Sequence, residues 1–162
     1  VLTAIHEIDY LYWFFGKVKG VFSITGKFSD LEVIADDMSA ILFRFKNDII
    51  GEIHLDYIQR PYFKSCKIKG TKGIIYWNSD ENHVKIFNSK KKTWKSLFNN
   101  KNHNLSNPKL SNYMYEKELD HFLKCVNQRK ETINSISNAI TPLKIALAIK
   151  KASELKKMIY LK

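Results

Sequence analysis

The sequence predicts an α+β fold: an open, mostly antiparallel sheet with helices packed on one face and the other face available for oligomerisation. Three observations carry this reading. Apolar residues recur at three- and four-residue spacing near both ends of the chain, whereas between them the period is two. The middle stretch is rich in Ile, Phe, Val and Tyr and is broken by turn signals. Helices that precede and follow a run of strands, rather than alternating with them, cover the sheet from one side. With 162 residues and 44% hydrophobic content the chain is long enough to bury a core, and residues 1–162 read as one domain.

Taken in order, Ile5, Ile8, Leu11, Tyr12 and Phe15 form one stripe, which predicts an amphipathic helix from Thr3 to Phe15 ended by Gly16. Strands follow over Val18–Phe28, Met38–Lys46, Ile49–Gln59, Tyr62–Lys69 and Gly73–Asn78, broken by Asn47-Asp48 and by Gly70-Thr71-Lys72-Gly73. Two shorter strands, His83–Asn88 and Thr93–Phe98, pair through a turn at Ser89–Lys92. The polar stretch Asn99–Asn112 reads as an exposed loop. Helical spacing returns at Tyr113, with Tyr115, Leu119, Phe122, Leu123 and Val126 on one stripe. A last helix is predicted from Thr141 as N-cap and Pro142 as first helical residue, with Leu143–Leu155 apolar nearly all round. In the strand Ile49–Gln59, Ile49, Ile53, Leu55 and Tyr57 point one way, and Ile50, Glu52, His54, Asp56 and Ile58 the other. A mixed second face of that kind suits a subunit interface or an open face.

Charge and composition narrow the function classes. No apolar run approaches the roughly 20 residues that cross a bilayer, and no signal segment opens the chain, so a soluble, cytoplasmic protein without a membrane partner is expected. The opening at Val1 rather than Met points to a fragment. Cys66 and Cys125 lie far apart and fit no metal or redox spacing, which predicts two free thiols. The net charge of +11 is uneven: residues 1–59 are net acidic and the excess sits mainly in residues 60–110. That excess is nearly all lysine, whereas arginine, whose planar fork suits phosphate and base edges, is confined to Arg44, Arg60 and Arg129. A solvated lysine-rich surface explains the balance better than nucleic-acid binding does.

The motifs of several enzyme classes are missing. There is no glycine-rich phosphate loop, no G-x-S-x-G elbow and no H-E-x-x-H, so the chain by itself has no familiar means of holding a dinucleotide. What remains is the first helix, where His6, Asp9, Tyr10 and Trp13 share a face set apart from the apolar stripe. In the first turn of a helix the positive end of the dipole disfavours the imidazolium and keeps the ring of His6 neutral, as a base requires. A general base at a cleft and a core histidine bonded to Asp9 are both consistent with that placement. The row Glu52, His54, Asp56 has ligand-type residues at two-residue spacing, although a solvated or interface face accounts for it better than a metal does. The tract from Lys90 to Lys95, with Trp94 among lysines, has the composition of a single-strand binder and also of a simple hairpin tip.

His6-Glu7-Ile8-Asp9-Tyr10-Leu11, followed by Trp13 and Gly16, resembles the opening of the C-terminal domain in the glucose-fructose oxidoreductase and inositol dehydrogenase family, Gfo/Idh/MocA. The resemblance continues through Ala35–Phe45, Gly51–Arg60 with Pro61, Ile68–Gly73, Glu118–Val126 and Ala139–Ser153, so it covers nearly the whole chain. It implies an N-terminal Rossmann domain, upstream of Val1, that binds NAD or NADP and supplies a lysine to the active site. It also implies that His6 handles the proton of a sugar-type hydroxyl during oxidation or reduction. Many members carry an aspartate one turn before that histidine; Leu2 and Thr3 stand there in this chain, so an Asp-His pair does not carry over. Thr3, with a hydroxyl for capping or substrate, Asp9 and Tyr10 are the expected neighbours of substrate, and Arg60 and Tyr62 are candidates for an acidic or nucleotide-linked sugar. The expected whole is an NAD(P)-dependent oxidoreductase and homo-oligomer, inactive as this fragment alone. The alternatives are a non-catalytic binding or scaffold domain of the same fold, or a basic nucleic-acid-binding domain.

Overall fold

A computed structural model describes residues 5–81, 83–97 and 108–161. The chain divides into two compact units, Val1–Ile58 with Ile133–Lys162, and Gln59–Thr132. The first contains α1 (Ile5–Phe15), β1 (Val18–Gly26), β2 (Met38–Phe45), β3 (Ile50–Asp56), α3 (Ile136–Leu155) and β8 (Ile159–Tyr160). The second contains β4 (Ser65–Gly70), β5 (Gly73–Asn78), β6 (Val84–Asn88), β7 (Thr93–Ser96) and α2 (Pro108–Gln128). The fold is α+β, and the run of strands is shared between two four-stranded antiparallel sheets, β3-β2-β1-β8 and β4-β5-β6-β7.

In the first unit the period-two pattern of β2 settles which way the sheet faces. Ser39, Ile41, Phe43 and Phe45 are buried, while Ala40, Leu42 and Arg44 between them are exposed. Pairing carries this alternation to both neighbours: Phe43 lies opposite Val21 and Gly51, and Leu42 opposite Phe22 and Glu52. The inner face closes on Ile8 and Leu11 of α1 and on Ile145, Ala146, Ile149 and Ala152 of α3 in a single core cluster. The alanines let the α3 backbone come close to the sheet, and Ser23 Oγ donates to the Ile149 carbonyl at 2.6 Å across that contact. The other face stays open, as expected. It carries Ile24, Leu42 and Ile50 in solvent, with Ile50 79% exposed.

Several boundaries differ from the sequence reading, each for a local reason. β3 ends at Asp56, whose Oδ1 accepts the Ile58 amide at 2.9 Å and turns the chain out of the ladder, so residues 57–64 form no strand. The first residue of α2 is Pro108, so the end of the expected loop is helical, with proline where its missing N–H costs nothing. α3 starts at Ile136 after an extended Ser135, whose carbonyl accepts the amides of Asn138 and Ala139. Pro142 therefore lies inside the helix, buried, rather than at its start. β8 is a two-residue strand along β1, where the sequence pattern predicts none.

The second unit has a different character. α2 carries its predicted stripe, yet Tyr115, Leu119, Phe122, Leu123 and Val126 are each half or more exposed, and Cys125 is the buried position among residues 112–128. The β4–β5 hairpin turns at Gly73, where an added Cβ would sit 1.9 Å from the Phe87 carbonyl oxygen of β6. A side chain there is incompatible with the β5–β6 pairing, so glycine is required.

Candidate active site on the first helix

α1 is fixed on its inner side by Ile8 and Leu11 and at its end by the edge-on contact of Phe15 with Phe45, ring centres 5.4 Å apart. Gly16 takes a left-handed φ of 77° and its amide donates to the Tyr12 carbonyl at 2.8 Å, ending the helix where the sequence places its end. Asn47 Nδ2 donates to the Phe15 carbonyl at 3.2 Å and occupies another terminal acceptor. The helix is thus held at its C-terminal end and along one side. His6 projects from its first turn.

His6 is exposed rather than sealed in the core, and no hydrogen bond joins it to Asp9 among the described residues. The face predicted from spacing is a boundary: His6 and Trp13 are exposed, whereas Asp9 and Tyr10 are half-buried. Tyr10 packs against the core cluster and its ring sits 5.8 Å from that of Phe14, so its phenol is carried by a fixed ring. Thr3 and Leu2 lie outside the described residues. Arg60 and Tyr62 belong to the second unit, in the strandless stretch after β3, both exposed; Arg60 Nη1 donates to the Gln59 carbonyl at 2.8 Å. His6, Asp9 and Tyr10 thus share one helix, and Arg60 and Tyr62 share one loop of the other unit.

Of the Glu52, His54, Asp56 row, the last two meet, with His54 Nε2 3.2 Å from Asp56 Oδ2. Among the described residues no three His, Cys, Asp or Glu side chains converge to hold a metal ion. Cys66 and Cys125 are both free, and burial pushes the Cys66 thiol up.

One charged group of the first unit escaped the sequence reading. Asp37, 1% exposed, accepts hydrogen bonds from Ser29 Oγ (2.5 Å) and from the amides of Phe28 (2.7 Å) and Ser29 (3.0 Å). Lys27 Nζ lies 3.7 Å away and also donates to the Ser29 and Leu31 carbonyls. The Ser29 hydroxyl first, then the Phe28 amide, hold its carboxyl at about 2 against an ordinary 3.8. This carboxylate closes the loop between β1 and β2. Nothing in its sequence neighbourhood separates it from Asp36, which faces outward enough to stay half-buried.

The usual dinucleotide-binding unit is not among the described elements. Among the described residues every ladder is antiparallel, so they form no strand–crossover–strand unit with a helix N-terminus aimed at a pyrophosphate, and the Gly70–Gly73 pair closes a hairpin. What the first helix offers is an exposed imidazole beside a fixed phenol and a carboxylate, on an element anchored to a core.

Residues 1–161 match the family described as oxidoreductase family, C-terminal alpha/beta domain. The chain belongs to the Gfo/Idh/MocA oxidoreductase family. The match spans both units and confirms the resemblance read from the α1 motif. No curated protein sequence matches the chain. Among solved structures of similar fold is levoglucosan dehydrogenase in complex with NADH and levoglucosan, with a TM-score of 0.80 and 16% identity over 98% of this chain and 49% of that one. The WlbA dehydrogenase from Bordetella pertussis, in complex with NADH and UDP-GlcNAcA, has a TM-score of 0.70 and 20% identity over 99% of this chain and 44% of that one. An oxidoreductase from Agrobacterium radiobacter, in complex with NAD+, L-tartaric acid and magnesium, has a TM-score of 0.75 and 15% identity over 97% and 47%. These likenesses show a shared fold. The chain spans about half the length of these structures. Among its described residues no helix is long and apolar enough to cross a membrane.

Proposed function

We propose that this chain is the substrate-side domain of an NAD(P)-dependent oxidoreductase acting on a hydroxyl or carbonyl of a sugar, cyclitol or nucleotide-linked sugar. The observation that carries the proposal is the position of His6, exposed on the first turn of an anchored helix in a chain of this family. Oxidation of a secondary alcohol removes a hydride and a proton. The hydride acceptor belongs to a nucleotide-binding domain N-terminal to this one, and the proton is the part that His6 can take. A neutral imidazole within hydrogen-bond reach of the hydroxyl accepts the proton as the C–O bond gains double-bond character, and returns it in the reverse direction. Asp9 and Tyr10 would shape the polar edge of that site, with Thr3 preceding them; Arg60 and Tyr62, on the loop of the other unit, are a separate proposal for contact with an acidic or nucleotide-linked group. NADH-bound dehydrogenases with sugar ligands among the proteins of similar fold support this class of substrate.

The open face of the first sheet is proposed as the surface through which the cytoplasmic enzyme forms a homo-oligomer. Leu42 lies at its middle with Ile24 and Ile50 at opposite corners, and Arg44, Glu52 and His54 stand among them. The deciding experiment for catalysis is His6→Ala in the intact protein, assayed with NAD and NADP over a panel of sugars. Turnover is expected to fall by about a hundredfold or more with bound nucleotide unchanged. Unchanged turnover would remove His6 from the reaction, and a wild-type protein that binds nucleotide yet turns over no sugar would favour the non-catalytic scaffold.

A further inference from the structure

The second sheet carries a feature that the oxidoreductase reading leaves unused. Its register places Lys67, Tyr76, Lys85 and Ser96 opposite one another in a row across all four strands. The next row on the same face is Lys69, Ile74, Phe87 and Trp94. A shallow depression, open to solvent, is lined here by Tyr76, Lys85, Trp94 and Ser96.

Two aromatic rings and several ammonium groups are therefore arranged on one surface. Trp94 is 52% exposed although its ring rests 5.3 Å from that of Phe87, so one part of the indole is propped and the rest faces solvent. Lys67 Nζ sits 5.5 Å from the centre of the Tyr76 ring. The hairpin turn before Trp94 is Lys90-Lys91-Lys92, shaped by Asn88 Oδ1 accepting the Lys91 amide at 2.9 Å and by a positive φ of 52° at Lys92. Three more ammonium groups thus stand at the end of the hairpin that carries the tryptophan. Opposing them is Glu81, ion-paired with Lys85, which holds the Glu81 carboxyl below its usual range.

Propped, half-exposed aromatics beside lysines select a ligand that is both flat and anionic. The rings take a stacking partner and the ammonium groups take its charge. We infer that this face of the second sheet binds a nucleotide unit, with the base on Trp94 and the phosphate at Lys67 and Lys85, beside the Tyr76 ring that Lys67 covers. The unit comes either as a free nucleotide or as part of a single strand. Because Glu81 already occupies Lys85, an incoming phosphate competes with it, and this carboxylate sets the affinity from the opposing side. The site uses residues of the second unit alone and is independent of the role proposed for His6.

The test titrates the 162-residue chain with adenosine 5′-monophosphate, ribose 5-phosphate and an eight-nucleotide oligoadenylate, read by calorimetry and by tryptophan fluorescence. Both base-containing probes are expected to bind at least tenfold more tightly than ribose 5-phosphate, with affinity falling as salt rises. Trp94→Ala should weaken them by about tenfold or more, whereas Trp94→Phe, which keeps a ring, should stay within a few-fold. Glu81→Gln should tighten binding several-fold, a gain that a misfolded chain does not give. Oligoadenylate tenfold tighter than the monophosphate identifies a single strand as the source, and equal affinities identify the free nucleotide. Equal binding of ribose 5-phosphate and adenosine 5′-monophosphate, an acidic oligosaccharide that binds when neither base-containing probe does, or Glu81→Gln without effect would each overturn the inference.

Discussion

The packing of α3 on the first sheet makes a prediction that can be put in numbers. Ile149 and Leu147 are two residues apart on this helix, yet Ile149 is 0% exposed within the core cluster and Leu147 is 53% exposed on the far side. Replacement by alanine removes three carbons in each case. At about 0.8 kcal/mol per buried carbon the transfer loss at Ile149 is about 2.4 kcal/mol, and the cavity left between α3 and the sheet raises the total to about 3–4 kcal/mol. Leu147→Ala opens no cavity and loses about half the transfer gain, roughly 1 kcal/mol. Alanine's higher helix propensity recovers a few tenths of a kcal/mol at either position and slightly more at Ile149, because isoleucine is β-branched. The gap between the variants should therefore be about 2 kcal/mol or more. Urea unfolding of the chain followed by far-ultraviolet circular dichroism measures it. Equal losses, or a larger loss for Leu147→Ala, would mean that the helix presents its other side to the sheet and that the core is misassigned.

Two further outcomes follow from the charges and the open face. Asp37 has a folded-state pKa of about 2, below its ordinary 3.8, so its contribution to stability is fully present above about pH 4 and is lost as pH falls through about 2; Asp37→Asn should lower stability at neutral pH and flatten the acid limb of the unfolding curve in that window, and an unchanged acid limb would remove Asp37 as a determinant of acid stability. Leu42→Lys puts a charge at the centre of the proposed subunit interface while leaving the buried residues of β2 unchanged, so sedimentation of the intact protein should show at least tenfold weaker association with unchanged circular dichroism; a wild-type protein already monomeric at micromolar concentration would end the interface proposal.

The elements most legible in the sequence are those whose pattern and partner lie close together. α1 and its stop at Gly16, the alternation of β2, and the two-way division of β3 into Ile53 and Leu55 against Ile50, Glu52 and His54 all follow from period and turn chemistry. Period two identifies a strand but not its neighbour. The division of the strands into two sheets depends on residues 57–64 leaving the ladder, which Asp56 decides by bonding its own chain two residues on. Pro142 misled in the same way: proline favours a first helical turn, yet the buried face of α3 and the capping carbonyl of Ser135 carry the helix six residues further back, past the one amide that proline lacks. At the candidate site the spacing of His6 and Trp13 on an outward face was readable. The burial of Tyr10 and the bonding of Asp37 to Ser29 were not, because each depends on a contact that leaves no mark on local periodicity.

The contrast between α1 and α2 shows where such reading stops for a physical reason. Both helices carry an apolar stripe at helical spacing. In α1 the stripe is covered by α3 and the sheet, whereas in α2 Leu119, Phe122 and Val126 face outward from the second unit. Amphipathicity records that a face is built to leave water; it does not record what covers it. Burying α2's stripe would release about 25 cal/mol for each Å² of apolar surface removed from solvent. A chain retains that much exposed apolar surface at a cost in solubility unless something else takes it. The open face of the first sheet, with Ile24, Leu42 and Ile50, makes the same demand from the other unit. Each unit thus presents an apolar surface of its own, and association measured on each face separately decides whether either one is covered in solution.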